Sequence, residues 1–456
     1  MPGSTRSLYV GVMLLGALLY QGCHWGGKST SAPNPATPFA VLAMNNGAGA
    51  EPYLLKDNVA TLLKAIYPGS GSSPWGFTAC NGKIYFQATD ITGAVGIWVT
   101  DGTTDGTTFI KHIDLPPLGS IVPQFTACNG KIYFQATDGT NGYELWVTDG
   151  TANGTAMLKD INPGTGDSSP GEFAVYNDKL YFSASDGTNG SELWVTDGTA
   201  TGTTLLKDIN PGTSDAYPYG FTGYNGKLYF NAYDGNSFGL WVTDGTVAGT
   251  TMVKDIRATE LTLYNGKLYF NANGGELWVT DGTANGTALV KYINSAAGGG
   301  FPWRFVVYNG KLYFSATGQP LNGELWVTDG TAAGTSMLTD IHPGDGAYDP
   351  GFTVNNSKLY FQATDPTSPS LQLWATDGTV AGTTKLTDSG VVSYVSYSLQ
   401  YEARKWQNAY VSGELANLPF GAATPSQGSI LWTSDGTAAG TGIWGAGTYT
   451  FFEYYW

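Results

Sequence analysis

The chain has 456 residues, a formal net charge of -15, 64 glycines, 14% aromatic residues and only 12% charged ones. So many aromatic residues exclude an acidic disordered chain, and the lack of a basic footprint excludes nucleic acid as a partner. The profile suits many short strands joined by tight glycine turns.

Residues 1–22 are predicted to be an export signal. Arg6 gives a positive start, and Leu8 to Tyr20 is an apolar run of 13 residues, too short to span a bilayer. The run ends in LLYQGC. A Cys at that place resembles the lipobox of bacterial lipoproteins, with Cys23 as the lipidated residue, although Tyr20 stands where the motif has Leu. An ordinary secretion signal is the alternative. Residues 23–38 are rich in Gly, Ser and Pro and read as a flexible tether. The expected location is the outer membrane or cell surface, reached through the lipid alone, or else the medium.

Residues 39–456 are predicted to form an all-β domain, a single closed β-propeller of four-stranded antiparallel blades. The segment FAVLAMNNGAGAEPY (39–53) aligns with LYFSASDGTNGSELW (180–194), and TLLKAIYPG (61–69) with TLLKDINPG (204–212). The domain therefore opens on an incomplete unit with no first strand. Eight full repeats follow, marked by Trp98, Trp146, Trp194, Trp241, Trp278, Trp326, Trp374 and Trp432, at spacings of 48, 48, 47, 37, 48, 48 and 58. They are called repeats 1 to 8 below.

Residues 173–209 show the plan of one repeat: FAVY is strand a, LYFSAS strand b, ELWVT strand c and TTLLKDI strand d. Strands a and b are joined by NDK here and by NGK in most copies. Asn-Gly between apolar runs is a strong hairpin signal, because both residues tolerate positive φ. Four short antiparallel strands per repeat point to propeller blades, and stacked blades bury the sheet faces that one blade cannot. The recurring Trp is expected to fill the space between blades.

The next fixed feature is the Asp of D-G-T: Asp101, Asp149, Asp197, Asp244, Asp281, Asp329, Asp377 and Asp435. Asp before Gly can accept backbone N–H bonds, so these are expected to staple turns. Calcium is the alternative, but a single carboxylate per turn is too few for a dedicated cage. No metal or other cofactor is expected. Cys80 and Cys128 fill one repeat position, in FTACNGK, and are expected to be buried thiols.

The last segment, TYTFFEYYW (448–456), stands where a further strand a belongs. It is expected to complete the N-terminal unit and close a ring of nine blades, with eight as the alternative. Strand alternation puts the a–b and c–d turns on one face and the b–c and d–a connections on the other. The first set is nearly constant. The second varies: DGTNGS shrinks to NGG at 273–275, and the long d–a segment is lost after Ile256. Repeat proteins place binding on the variable face.

Departures from the repeat on or near d–a connections are the candidate binding residues: Trp75, Trp303, Arg304 and His342, with Arg257, Arg404 and Trp406 as further departures. They suit a glycan or a protein ligand taken by a monomer. No catalytic residue is nominated: H-E-x-x-H, G-x-S-x-G and P-loop motifs are all missing, and neither His112 nor His342 has an identifiable partner. A non-enzymatic binding or adhesion module is the leading reading. A propeller enzyme, either a glycan hydrolase or quinoprotein-like, a scaffold in an envelope complex and a purely structural surface protein are the alternatives.

The motif resembles the E-L-W-x-x-D-G-T repeat family of bacterial surface and secreted proteins. Residues 39–447 carry the resemblance, and the full form stands at 144–151, 192–199, 276–283 and 324–331. Membership implies an extracytoplasmic propeller-like array and no particular activity. ATDGTNGYELW (136–146) and ASDGTNGSELW (184–194) also resemble the A-x-D-x-x-T-G-K-x-x-W docking motif of quinoprotein propellers, with Asn141 and Asn189 in place of Thr and Tyr143 and Ser191 in place of Lys. That resemblance implies Trp packing between blades and brings no quinone.

Overall fold

The computed structural model describes residues 8–11, 39–45, 49–56, 59–115, 125–273, 275–294, 299–317, 323–342, 352–355, 357–387, 392–394, 409–412, 418–424, 428–434, 437–439, 441–443 and 449–450. Each of repeats 1 to 8 forms one four-stranded antiparallel sheet with neighbours in the order a-b-c-d, giving eight such sheets. This meander is the blade unit of a β-propeller. Two compact units divide the chain. One, built on Ile113–Met337, holds repeats 2 to 6; the other, built on Thr30–His112 and Leu338–Trp456, holds the N-terminal sheet and repeats 1, 7 and 8.

Repeat 3 shows why the sequence folds this way. Its strands are Gly171–Tyr176, Lys179–Ala184, Glu192–Thr196 and Thr204–Lys207. The a–b hairpin turns on Asn177 and Asp178, both at positive φ, as the primed two-residue turn requires. Period-two alternation then sorts the side chains. Leu180, Phe182, Ala184 and Trp194 pack on Tyr133, Leu145, Val147 and Ile161 of repeat 2. From the opposite face, Tyr181, Leu193, Val195 and Leu206 pack on Leu228, Phe230, Ala232 and Trp241 of repeat 4. The core is thus a series of layers between sheets. Trp194 is 5% exposed, and such burial contributes roughly 2–3 kcal/mol by area.

Within the unit of repeats 2 to 6, the a strands of successive repeats lie beside one another. Each fully described a strand of repeats 3 to 6 carries a bulge near its start, at Gly171/Ala174, Tyr219/Thr222, Thr259/Thr262 and Trp303/Val306. The residue inside each bulge has positive φ: Glu172, Gly220, Glu260 and Arg304. The a strand therefore begins earlier, and more twisted, than the sequence pattern indicates.

The N-terminal sheet differs from expectation. Strands Phe39–Asn45, Ala50–Lys56 and Val59–Leu62 form the b, c and d members. The place beside Phe39–Asn45, expected for residues 448–456, is filled by two short antiparallel strands, Leu8–Gly11 and Ala409–Ser412. Tyr449–Thr450 joins one place further out, parallel to Leu8–Gly11. An open sheet edge pairs with extended segments that reach it, and among the described residues Leu8–Gly11 and Ala409–Ser412 take that edge while Tyr449–Thr450 pairs only with Leu8–Gly11. Leu8–Gly11 lies inside the expected export signal. Cys23, the tether at 23–38, Asp435, Arg404 and Trp406 lie outside the described residues.

Candidate functional site

The two faces of the sheets are built by different chemistry. On the a–b and c–d face, the D-G-T turn of repeat 3 is closed by its own side chains. The Asp197 carboxylate accepts the Thr199 amide at 2.9 Å and the Thr199 hydroxyl at 2.7 Å. The Thr199 hydroxyl accepts the Gly202 amide, and the Thr203 hydroxyl donates to the Thr199 carbonyl. A Cβ at Gly202 would overlap the Asp197 carboxylate, so the later Gly of the motif is fixed by space. The hydroxyl and then the amide of Thr199 hold the Asp197 carboxyl below the usual carboxylate range. The same pairs recur at Asp101, Asp149, Asp244, Asp281, Asp329 and Asp377.

This face also ties each repeat to the next. Lys159 on strand d of repeat 2 donates to the Thr203 carbonyl of repeat 3 at 2.7 Å. Lys254 and Lys291 do the same to Thr287 and Thr335. Tyr224 and Tyr264, at the ends of a strands, donate to the Gly266 and Gly310 carbonyls of the following a–b turns at 2.6 and 2.9 Å. The turns are constant because both their own closure and the seam between repeats depend on them. Among the described residues, no three His, Cys, Asp or Glu side chains gather as a metal would need.

On the b–c and d–a face, the Glu of E-L-W does something that its sequence context hides. Glu192 is fully buried and accepts the Ile209 amide at 2.6 Å and the Asn210 amide at 3.3 Å. Glu144 accepts the amides of Ile161, Asn162 and Ser168 and the Ser168 hydroxyl. In the incomplete N-terminal unit, Glu51 holds Ile66, Tyr67 and Ser72. Each carboxylate pins the long d–a loop of its own repeat. The loop then donates two amides to the carbonyl just before that Glu: Ser72 and Ser73 to Ala50, Ser168 and Ser169 to Tyr143, Ala216 and Tyr217 to Ser191. Burial is the main cause that pushes Glu192 up to about 7; the amide bonds pull the other way, and Asp208 adds to the rise. Burial likewise raises Glu144 and Glu276.

The candidate residues do not form one site. Trp303 is 37% exposed and Arg304 only 3%; the guanidinium lies over the indole, 5.5 Å from its centroid. Both belong to strand a, Trp303–Tyr308, and not to the connection before it. Trp75 also opens its a strand and is buried. The bulge brings these first residues into the sheet, where Trp75 and Arg304 are buried and Trp303 stays exposed. His342 Nδ1 lies 3.1 Å from the Thr364 hydroxyl. His112 pairs with Asp90 at 2.6 Å, and the Thr92 hydroxyl, with further help from His112, holds Asp90 down at about 2. Cys80 and Cys128 are buried thiols outside any disulfide.

Arg257 and the rings around it form a better organised group. Arg257 sits in the d–a connection of repeat 4, which runs from 255 to 258, whereas that of repeat 3 runs from 208 to 218. Arg257 Nε donates to the Tyr219 hydroxyl at 2.8 Å, and its guanidinium lies 4.9 Å from the Phe238 ring centroid and 5.8 Å from that of Tyr219. Tyr233 packs on Phe238 from the b–c side.

No family model matches the chain, and no curated protein is similar to it. Solved structures are similar only at a distance. Puromycin hydrolase matches at 12% identity over 79% of this chain, with a TM-score of 0.39. The chain spans 58% of the length of that hydrolase. A puromycin-hydrolyzing peptidase of Mycobacterium tuberculosis matches at 11% identity over 69% of this chain and 53% of its own, with a TM-score of 0.38. The β-propeller domain of the Trilobed protease from Pyrococcus furiosus matches at 12% identity over 69% of this chain and 99% of its own, with a TM-score of 0.34. At these values none of them bears on a substrate or partner of this chain.

Proposed function

We propose that this chain is an exported β-propeller that binds a ligand through its b–c and d–a face, without catalysing a reaction. The observation that supports this reading is the division of labour between the faces. The D-G-T and N-G-K turns spend their polar groups on their own closure and on the seam between repeats. The opposite face hangs loops of unequal length on buried carboxylates, and it carries exposed Tyr217, Phe301 and Trp303. The reading includes a closed ring of nine blades, the incomplete N-terminal unit being completed by segments from the C-terminal part of the chain.

The test is protection from hydrogen exchange with a ligand recovered from a glycan array probed with the mature protein. Protection is expected in 208–218, 255–258 and 299–303, and Trp303→Ala should weaken binding about tenfold or more while leaving the melting temperature within a degree or two. Arg304 is left untouched, since it is buried. Protection confined to Thr199 and its equivalents would refute the reading.

The chain is further proposed to be held at the membrane by a lipid on Cys23, on the strength of Gly22-Cys23 after the apolar run. Cys23→Ser should move the protein from the membrane to the soluble fraction. An unchanged fractionation would rule the anchor out.

A further inference from the structure

We propose that the shortened d–a connection of repeat 4 opens a binding notch for a carboxylated sugar, with Arg257 as its anchor. The inference rests on the reading of the b–c and d–a face as the binding face. In the N-terminal unit and repeats 2, 3 and 5, the loop amides close over the start of strand c: Ser72 and Ser73 on Ala50, Ser168 and Ser169 on Tyr143, Ala216 and Tyr217 on Ser191, Gly300 and Phe301 on Gly275. Repeat 4 has lost that cover. Its c strand starts at Phe238, and Gly239 stands where the N-terminal unit and repeats 2, 3 and 5 have the loop-pinning Glu. A Cβ at Gly239 would meet Met252, so the space of that Glu is filled by thioether and not by a carboxylate. The chain turns directly into the next repeat, held by Ala258, which bonds through both its amide and its carbonyl to Asn231. The Arg257 side chain lies over Phe238, the first residue of that strand, and the Asp255 side chain bonds Ser237 just before it.

That side chain is prepared for an anion. Stacking on Phe238 and Tyr219 and the bond from Nε to the Tyr219 hydroxyl fix the guanidinium plane before any ligand arrives. Its two Nη groups carry no bond among the described residues, and no ion pair there involves it. A fixed fork with two unused nitrogens matches a carboxylate bidentately, and prior immobilisation lowers the entropy cost of binding. Beside it, exposed Asp255 uses one oxygen for the Ser237 hydroxyl at 2.5 Å and has the other to accept from a sugar hydroxyl. Tyr217, two residues before Tyr219 in the chain, is 56% exposed, and an exposed phenol ring suits the C–H side of a pyranose.

The net charge of -15 selects among anions. A dense polyanion is repelled by the whole molecule, whereas a glycan with one carboxylate per disaccharide places a single charge on a single guanidinium. Hydroxyl donors for Asp255 favour such a glycan over an acidic peptide, whose side chains would meet Asp255 as a like charge.

The test uses the mature full chain and two probes: a tetrasaccharide alternating glucuronic acid with N-acetylglucosamine, and the same tetrasaccharide with its carboxyls reduced to alcohols. Calorimetry should show binding of the first, at least about tenfold weaker binding of the second, and a similar loss for Arg257→Ala. Arg257→Lys should retain part of the affinity, because it keeps the charge and loses the fork. The comparison of the two sugars needs no variant, so it decides the matter even if Arg257→Ala lowers stability. Equal binding of both sugars, no binding of the acidic one, or its displacement by a poly-glutamate peptide overturns the proposal. If the acidic sugar binds but depends on Trp303 and not on Arg257, the notch is wrong and the binding face stands. If its contacts map to the D-G-T turns, both fail.

Discussion

Replacing Trp194 by Ala should remove about 3–5 kcal/mol of stability, the range for deleting a large aromatic side chain from a closed core. The indole is 5% exposed and bridges two sheets, packed with Tyr133, Leu145 and Val147 of repeat 2 and with Leu205 of its own strand d. Neither sheet can close the resulting space alone, because each is held by its own ladder and by the Lys159 to Thr203 tie. Trp194→Phe should cost only about 1 kcal/mol, since the indole N–H has no hydrogen-bond partner among the described residues and only volume is lost. Chemical denaturation of both variants checks the pair of values. A loss below about 1 kcal/mol for Trp194→Ala would show that the residue is not a core residue.

The second large effect belongs to Glu192. Glu192→Ala leaves the Ile209 and Asn210 amides buried without their acceptor, at a cost of about 2–4 kcal/mol, and should speed hydrogen exchange along 208–218. The pH dependence has a definite sign. Burial raises this carboxyl from its ordinary 4.5 to about 7, so the folded state holds the proton more tightly than the unfolded chain does. The resulting stabilisation is complete below pH 4.5 and is lost as pH climbs through about 7. Glu144 and Glu276, raised by the same cause, act in the same direction. Stability should therefore fall between pH 5 and pH 8, and Glu192→Gln, which cannot ionise, should flatten that fall by on the order of 2–3 kcal/mol. Parallel pH profiles for the wild type and Glu192→Gln would contradict this account.

These two residues also show what local sequence can and cannot disclose. The sheet pattern is legible because its causes are local. Asn177-Asp178 must turn, and alternation along LYFSAS and ELWVT must segregate two faces. The D-G-T closure is equally local, all within seven residues from Asp197 to Thr203. The role of Glu192 is hidden because its partners lie 17 and 18 residues downstream, in a segment that varies in composition. The seam is hidden for a similar reason: Lys159 and Thr203 are 44 residues apart. The starts of the a strands are not legible because a bulge with positive φ carries no fixed residue type here. Gly220, Glu172 and Arg304 all occupy it. That is why Trp75 and Arg304 read as exposed loop residues and are found buried, and why Arg257 becomes conspicuous only when its aromatic partners fall into place.

The Tyr and Lys ties between neighbouring repeats have a consequence for how such a chain can lengthen. A repeat such as residues 219–254 carries the donors Tyr224 and Lys254 at one side, and it presents the kind of turn carbonyls that accept a preceding copy's donors at the other. It therefore behaves like a monomer with complementary ends. Tandem copying of its coding segment would deliver a unit already able to join both neighbours, with no compensating change elsewhere. The spacing of 37 between Trp241 and Trp278 shows the other freedom: an excision on the far side leaves the joining ends intact. An ancestral gene could grow by whole units while each new copy diverged only in what it offers to the outside.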